Sequence, residues 1–313
     1  MISKIDLHCH LDGSLSKEFM EDILGREVAL SEIQVGDVNN LAEYLEKFNL
    51  PLECIQTEEN LTKAGYDFIR TVAGDEIRYV EVRFAPLLSA NENLNTEKII
   101  IAVLKGLKKG KDDFGVDSNI ITCAMRHHSE EDNLKMLKTA RSFLGEGVCA
   151  ADLAGDEAGF PMSNFMNLYN KVRSMDMPFT IHAGETGNST NIIDAIDIGA
   201  RRIGHGVAMT GHPDVQEVCK IKRIGVEMCP ISNLQTHAIP DMNKYPMREF
   251  LDNGLPVTIN TDNRTVSNTS ITKEIEYAIN ELGITSKDIN TMMQTAVDVS
   301  FADDTIKDRL LKV

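Results

Sequence analysis

Residues 4–15, KIDLHCHLDGSL, place two histidines one residue apart at the end of an apolar run. In a β-strand residues i and i+2 share a face, so His8 and His10 point one way and Cys9 the other. Two imidazoles about 7 Å apart along a strand can share a metal ion or make structural hydrogen bonds. The pair alone fits both readings equally.

What surrounds this stretch decides the fold. Short segments rich in β-branched and apolar residues predict strands near 3–8, 78–84, 119–125, 148–153, 179–182, 201–204, 224–228 and 256–260. Helical patterns separate them. Ser129 and Asp132 form a capping-box pair ahead of Leu134, Leu137 and Leu144. A stripe from the cap Thr96 through Ile99, Ile100, Val103, Leu104 and Leu107 predicts a helix over 96–109 that stops at Gly110. Pro213 and Pro246 suit first helical turns.

Alternation of strand and helix implies an α/β fold with a parallel sheet, and eight units in about 300 residues imply a (β/α)8 TIM barrel. The pattern alone is also compatible with a doubly wound sheet. The interval after the first strand is long, and its stripes (Leu41, Tyr44, Leu45, Phe48, then Leu61, Ala64, Phe68, Val72) look helical. The expected organisation is one domain over 1–313, with a helical insertion at about 14–76 of which 36–73 partly cover one barrel mouth.

Composition narrows the function. Apolar residues make up 42% of the 313, enough for a sizeable core. No window approaches the roughly 18 apolar residues of a membrane span, and the N-terminus lacks the regions of a secretory signal. The six cysteines form no C-x-x-C pair, as free thiols in a reducing compartment would, so a cytoplasmic location is expected. A net charge of −16 without a basic stripe argues against nucleic acid and weakly against phosphorylated substrates.

The ends of later strands tilt the His8/His10 question toward a metal. FTIHAGE sets His182 at a strand tip with Glu185 in the next loop, and RRIGHG sets His205 between two glycines. VTINTDN places Asp262 just past an apolar run. Histidines and an aspartate on strand ends make a nitrogen-rich divalent site that suits Zn²⁺ best, with Fe²⁺ and other first-row ions as alternatives. A carboxylate beside such a site, as on Glu185, is a natural proton shuttle.

The strings HCHLDGSL, MRHH, ADLAGDE, HAGE, RIGHG, CPISN and NTDN, in that order from residue 4 to about 268, resemble the motif series of the adenosine deaminase family within the amidohydrolase superfamily. Each string is weak and the ordered series is specific; the bacterial members are the most similar. The resemblance implies that His8, His10, His182 and Asp262 bind one Zn²⁺ per chain, with a water completing the shell. It implies that Glu185 protonates purine N1 and that His205 orients and helps deprotonate the water. Asp12 would bind the ribose 5′-hydroxyl, or else cap a turn before Gly13. Gly155 would offer its N–H to purine N3, or else serve a tight turn. His10 would also touch substrate.

The implied reaction is hydrolytic deamination of adenosine and 2′-deoxyadenosine to inosine and 2′-deoxyinosine with loss of ammonia, a step of purine salvage. The implied partner is a small purine nucleoside, with no nucleic acid and no membrane. Where many relatives carry a second aspartate, this chain has Asn263, whose amide donates to purine N7 at any pH. NTDNRTVS lacks the double aspartate and proline of adenine deaminases, and a thioether such as that of 5′-methylthioadenosine cannot donate to Asp12. A cyclic-amide amidohydrolase is disfavoured because VCAADLAGDEAGF has no bridging lysine. A catalytically dead nucleoside-binding protein would have lost a ligand or the shuttle, and none is lost.

Bland roles are expected elsewhere: His127 and His128 at the mouth, His212 before a helix, His237 in an exposed loop, Ser232 and Asn233 ordering a loop, and Cys229 in packing. Asp6, on the face of His8, is expected to hydrogen-bond a ligand histidine.

Overall fold

The computed structural model describes residues 3–36, 41–239 and 241–312. All eight predicted strands form: β1 Lys4–His10, β2 Ile77–Phe84, β3 Asp117–Met125, β4 Val148–Ala154, β5 Thr180–Ala183, β6 Arg202–His205, β7 Gly225–Met228 and β8 Val257–Ile259. They make two parallel sheets, ordered β1-β2-β3-β4 and β5-β6-β7-β8. Parallel bridges join the sheets at both seams, Ala151 with Phe179 and Cys9 with Asp262. At the second seam the Asp262 N–H donates to the His8 carbonyl at 2.7 Å, and the His10 N–H donates to the Asp262 carbonyl at 2.7 Å. Sequential parallel strands with bridged seams are the topology of a (β/α)8 barrel.

Between β1 and β2 lie α1 Lys17–Leu24, α2 Leu30–Ile33, α3 Leu41–Leu45, α4 Asn49–Cys54 and α5 Glu58–Gly74. Residues 37–40 and the Leu41 side chain, part of the expected insertion, lie outside the described residues. In α5, Leu61, Ala64, Phe68 and Val72 are all fully buried, as their spacing predicts. The remaining crossovers are α6 Thr96–Phe114, α7 Glu130–Arg141, α8 Met166–Ser174, α9 Ser189–Ile198, α10 Pro213–Lys222, then α11 Pro230–Gln235 and α12 Met247–Asp252. After β8 follow α13 Ile271–Glu281, α14 Ser286–Val299 and α15 Asp304–Leu310.

The caps agree in part. Ser129 accepts from the Asp132 N–H at the start of α7, and Pro213 opens α10. Pro246 sits one position earlier, as the N-cap of α12. In α6 two expectations are corrected. The cap is Asn95, whose side chain accepts from the Lys98 N–H, and the helix continues past Gly110 to Phe114 and ends at Gly115 in the left-handed region. Gly110 is a contact and not a stop: a Cβ there would lie 2.5 Å from Ile69 Cβ, so α5 occupies the space. The same two helices meet main chain to main chain at Gly106, where a Cβ would lie 2.1 Å from the Thr62 carbonyl oxygen.

The apolar core lies between strands and helices, while the barrel interior is charged. Glu81, Arg83, Asp152, Arg202 and Glu227 are all 0% exposed. The six cysteines are free and buried. Among the described residues no helix is long and apolar enough to cross a membrane.

Candidate active site

The carboxyl ends of the strands carry the candidate residues, the face where barrels of this kind do chemistry. His8 and His10 lie at the end of β1, His182 in β5, His205 at the tip of β6 and Asp262 just past β8. His205 and Asp262 both adopt left-handed backbone, with φ of 64° and 60°. Such conformations cost of order 1–3 kcal/mol in a side-chain-bearing residue. Here each turns its side chain back over the barrel mouth. Gly204 serves a close approach: a Cβ there would lie 3.0 Å from Cε1 of His8.

Five groups from four strand ends converge. One donor atom each from His8, His182, His205 and Asp262 lie within 4.8 Å of one another. His10 joins them, its Nε2 3.2 Å from Nε2 of His182 and 3.5 Å from Oδ1 of Asp262. Hydrogen bonds then separate their roles. His8 Nδ1 donates to Glu227 Oε2 at 2.8 Å, so Nε2 carries a lone pair; it is buried and lacks a hydrogen-bond partner. His182 Nδ1 donates to Asp152 Oδ2 at 2.9 Å, which likewise bares its Nε2. Lone pairs and a carboxylate crowded together repel unless a cation lies among them, and nitrogen and oxygen donors of this kind suit a divalent first-row ion.

His205 is built the other way round. The Tyr245 hydroxyl donates to Asn233 Oδ1 at 2.9 Å, leaving the Asn233 amide to donate to His205 Nδ1 at 3.0 Å. The ring proton therefore sits on Nε2, which faces Glu185 Oε2 at 3.7 Å and cannot ligate a metal in that form. Burial, then the neighbouring His8 imidazole, lowers the His205 pKa to about 3, so the ring is neutral.

Glu185 is 6% exposed, and burial, then the charges of Asp262 and Glu157, raises its pKa to about 8. It is a carboxylic acid at neutral pH, able to give up a proton. A raised pKa means the proton is held below that value and lost above it. In metal-stripped protein the Glu185 carboxyl should titrate near 8 by carbon NMR; titration below pH 5 would contradict this environment. Asp262 is the opposite case. Burial opposes its ionisation, but the adjacent imidazoles, His8 first and then His205 and His10, hold it below the usual carboxylate range, and Ser232 donates to its Oδ2 at 2.6 Å.

A cavity of about 260 Å³ opens over these groups. Its lining includes His10, Asp12, Gly155, Glu185, Asn263 and, from the insertion, Phe48. All the residues expected to meet substrate thus border one space. Asp12 is 6% exposed and its buried Oδ1 has no hydrogen-bond partner; burial raises its pKa to about 6. Gly155 has φ of +100°, which its residue type permits. Gly13 leaves room for Asn263, whose Oδ1 would lie 2.0 Å from a Cβ there.

Several expectations shift. Asp6 accepts from the main-chain N–H of His8 and from the Thr261 hydroxyl, not from a histidine ring. The rings are held instead by Glu227 and Asp152, whose charge inside otherwise apolar strands was the available signal. Ser232 and Asn233, expected only to order a loop, contact Asp262 and His205. His127 borders the cavity, His212 precedes α10, His237 is exposed, and Cys229 is buried.

An eight-stranded parallel α/β fold that gathers histidines and an aspartate at its strand ends has the donors to hold a divalent metal at a barrel mouth. The sequence matches the family model described as adenosine deaminase over residues 3–313, and the chain belongs to that family. It is 42% identical to an adenosine deaminase of Enterococcus faecalis, across 87% of this chain and 84% of that protein. Among solved structures, the fold is that of an adenine deaminase from Arthrobacter aurescens (TM-score 0.89, 24% identity, 100% and 98% of the two chains). An amidohydrolase from Burkholderia ambifaria crystallised with bound Zn shares it as well (TM-score 0.89, 20% identity, 100% and 89%).

Proposed function

We propose that this chain is a zinc-dependent deaminase of adenosine and 2′-deoxyadenosine, a single domain over 1–313 with its insertion at about 14–76, working in the cytoplasm. The observation that carries the reading is geometric: the buried Glu185 carboxyl borders one cavity with His10, His182, His205 and Asp262, beside the donor atoms that His8, His182 and Asp262 bring together. His8, His10, His182 and Asp262 would hold one zinc. Bound zinc supplies Lewis acidity that makes water a nucleophile near neutral pH, at an apparent pKa of about 7.

The chain's own groups supply the rest. Glu185 transfers its proton to purine N1, which withdraws electrons from C6. His205, with its proton on Nε2, orients the attacking oxygen by donating to it. The attacking oxygen's first proton passes to the Glu185 carboxylate left after N1 is protonated, not to His205 as expected, since its Nε2 already holds a proton, and the second passes to the amino nitrogen. A C6–O bond forms, the C6–N6 bond breaks, and the amino nitrogen leaves as ammonia, so adenosine and water give inosine and ammonia. Asn263 donates to N7, and the Gly155 N–H faces N3. Asp12 offers its unpartnered oxygen to the ribose 5′-hydroxyl, which favours a nucleoside over free adenine and over a methylthio nucleoside. No lysine or arginine is among the described residues lining the cavity, which disfavours a 5′-phosphate.

The test follows ultraviolet absorbance as zinc-assayed protein meets adenosine, adenine and 5′-methylthioadenosine in parallel. Rapid loss of the adenosine signal with about one zinc per chain is the expected result. Turnover confined to adenine or methylthioadenosine would overturn the substrate assignment.

A further inference from the structure

Glu157, in the loop after β4, is 2% exposed, and the reaction outlined above gives it no task. Both of its carboxylate oxygens serve the loop that follows β5. Oε1 accepts from the Gly184 N–H at 2.6 Å and from the Asn191 amide at 2.8 Å. Oε2 accepts from the Glu185 N–H at 2.9 Å, the Thr186 N–H at 3.1 Å and the Thr186 hydroxyl at 3.2 Å. Three successive main-chain N–H groups closing on one anion form a nest. The nest depends on Gly184, whose φ is +76° and where a Cβ would lie 2.5 Å from Ile192 Cδ1. Glu185 is the middle residue of the three. On its N-terminal side, Arg126 donates to the His182 carbonyl at 2.7 Å.

We propose that Glu157 is the positioning residue for the proton-donating carboxyl: accepting from the three main-chain N–H groups of residues 184–186, and from the Thr186 and Asn191 side chains, it locks that stretch so that the Glu185 side chain meets the substrate beside His205. The proposal rests on the deaminase reading of the site. Hydrogen bonds to an ionised acceptor are about twice as strong as neutral ones, and these hold a loop whose next residues, 187 and 188, are exposed. The negative charge of Glu157 also adds to burial and to Asp262 in keeping the Glu185 proton in place.

Glu157→Gln keeps the shape and one acceptor oxygen but turns an NH2 group toward main-chain donors. With zinc-loaded protein and adenosine, kcat should fall about 10²-fold, the effect of misplacing a reacting group by about 1 Å, while KM changes less than about threefold. On a Glu185→Gln background the same change should alter the residual rate by less than about twofold, because the group it positions is gone. Thr186→Val, which removes one side-chain hydrogen bond, should give a smaller loss of kcat that also vanishes on that background, and it serves if Glu157→Gln does not fold. Amide hydrogen exchange at 184–186, a readout independent of turnover, should accelerate about tenfold or more in Glu157→Gln with β1 unchanged. A loss of rate that persists in full on the Glu185→Gln background, or unchanged exchange at 184–186, overturns the positioning role. Failure of the unaltered chain to deaminate adenosine would instead strike the deaminase reading, and exchange would still decide whether Glu157 holds the loop.

Discussion

Glu185→Gln is expected to lower adenosine turnover by about 10²–10⁴-fold, the range of a lost general acid, while zinc content and inosine binding stay close to those of the parent. The side chains are nearly isosteric, and the main-chain N–H of residue 185 still reaches Glu157 Oε2. What changes is the proton. The carboxyl of Glu185, its pKa raised to about 8 by burial and by the charges of Asp262 and Glu157, can transfer a proton at neutral pH. An amide at the same place can only donate a hydrogen bond. The effect should therefore appear in kcat with little change in KM. Stopped-flow or prolonged assays with adenosine, paired with metal analysis and inosine titration, measure it. Retained turnover would remove Glu185 from the proton-transfer role; loss of zinc as well would show that the substitution disturbs the metal site.

The second large effect is expected inside the barrel. Glu227 accepts from His8 Nδ1 at 2.8 Å, Arg83 Nη2 at 2.9 Å, Arg202 Nε at 2.6 Å and the Thr180 hydroxyl at 2.9 Å. Burial works against its ionisation, and the two arginines with His8 overcome it, holding the carboxyl far below its usual range. Glu227→Gln halves the acceptor capacity and leaves two guanidinium groups short of negative charge at 0% exposure. Breaking a buried ion pair in this way costs about 3–5 kcal/mol, and loss of a hydrogen bond behind a metal-bound histidine lowers metal affinity about 10–100-fold. Denaturant melts and chelator competition read the two effects separately. A stability loss without weaker zinc binding would make Glu227 a fold residue alone. Equal stability would mean that Glu81, which pairs with Arg202 at 2.6 Å, compensates for the lost charge.

Much of this was legible from residue types and spacing. The eight strands follow from β-branched clusters, because a strand buried on both faces needs an apolar run that local sequence displays. The i, i+4 stripe of α5 marked its buried face for the same reason. The candidate site residues could be named because histidine, aspartate and glycine at strand ends are poor core material, and their order along the chain matches a family pattern. Limits of the local signal appear where neighbours override it. Gly110 reads as a helix end, yet α6 runs through it because Ile69 of α5 fills the space a side chain would need. Asp6 reads as a partner for an imidazole, but Thr261, far along the chain, takes its carboxylate.

The sequence by itself determined the kinds of group available: imidazoles and carboxyls at strand ends, and an alternation of strands and helices that suits a ring or a doubly wound sheet. Tertiary structure decided what each group can do. Whether an imidazole nitrogen holds a lone pair or a proton depends on what touches the opposite nitrogen, and those partners come from other strands and loops. Glu227 is 219 residues from His8, and Asn233 is 28 residues from His205. The proton of Glu185 likewise depends on burial and on charges at Asp262 and Glu157 that only the closed barrel brings near. Periodicity records which face of a strand is buried; it does not record which residue stands opposite, and protonation is set by that neighbour.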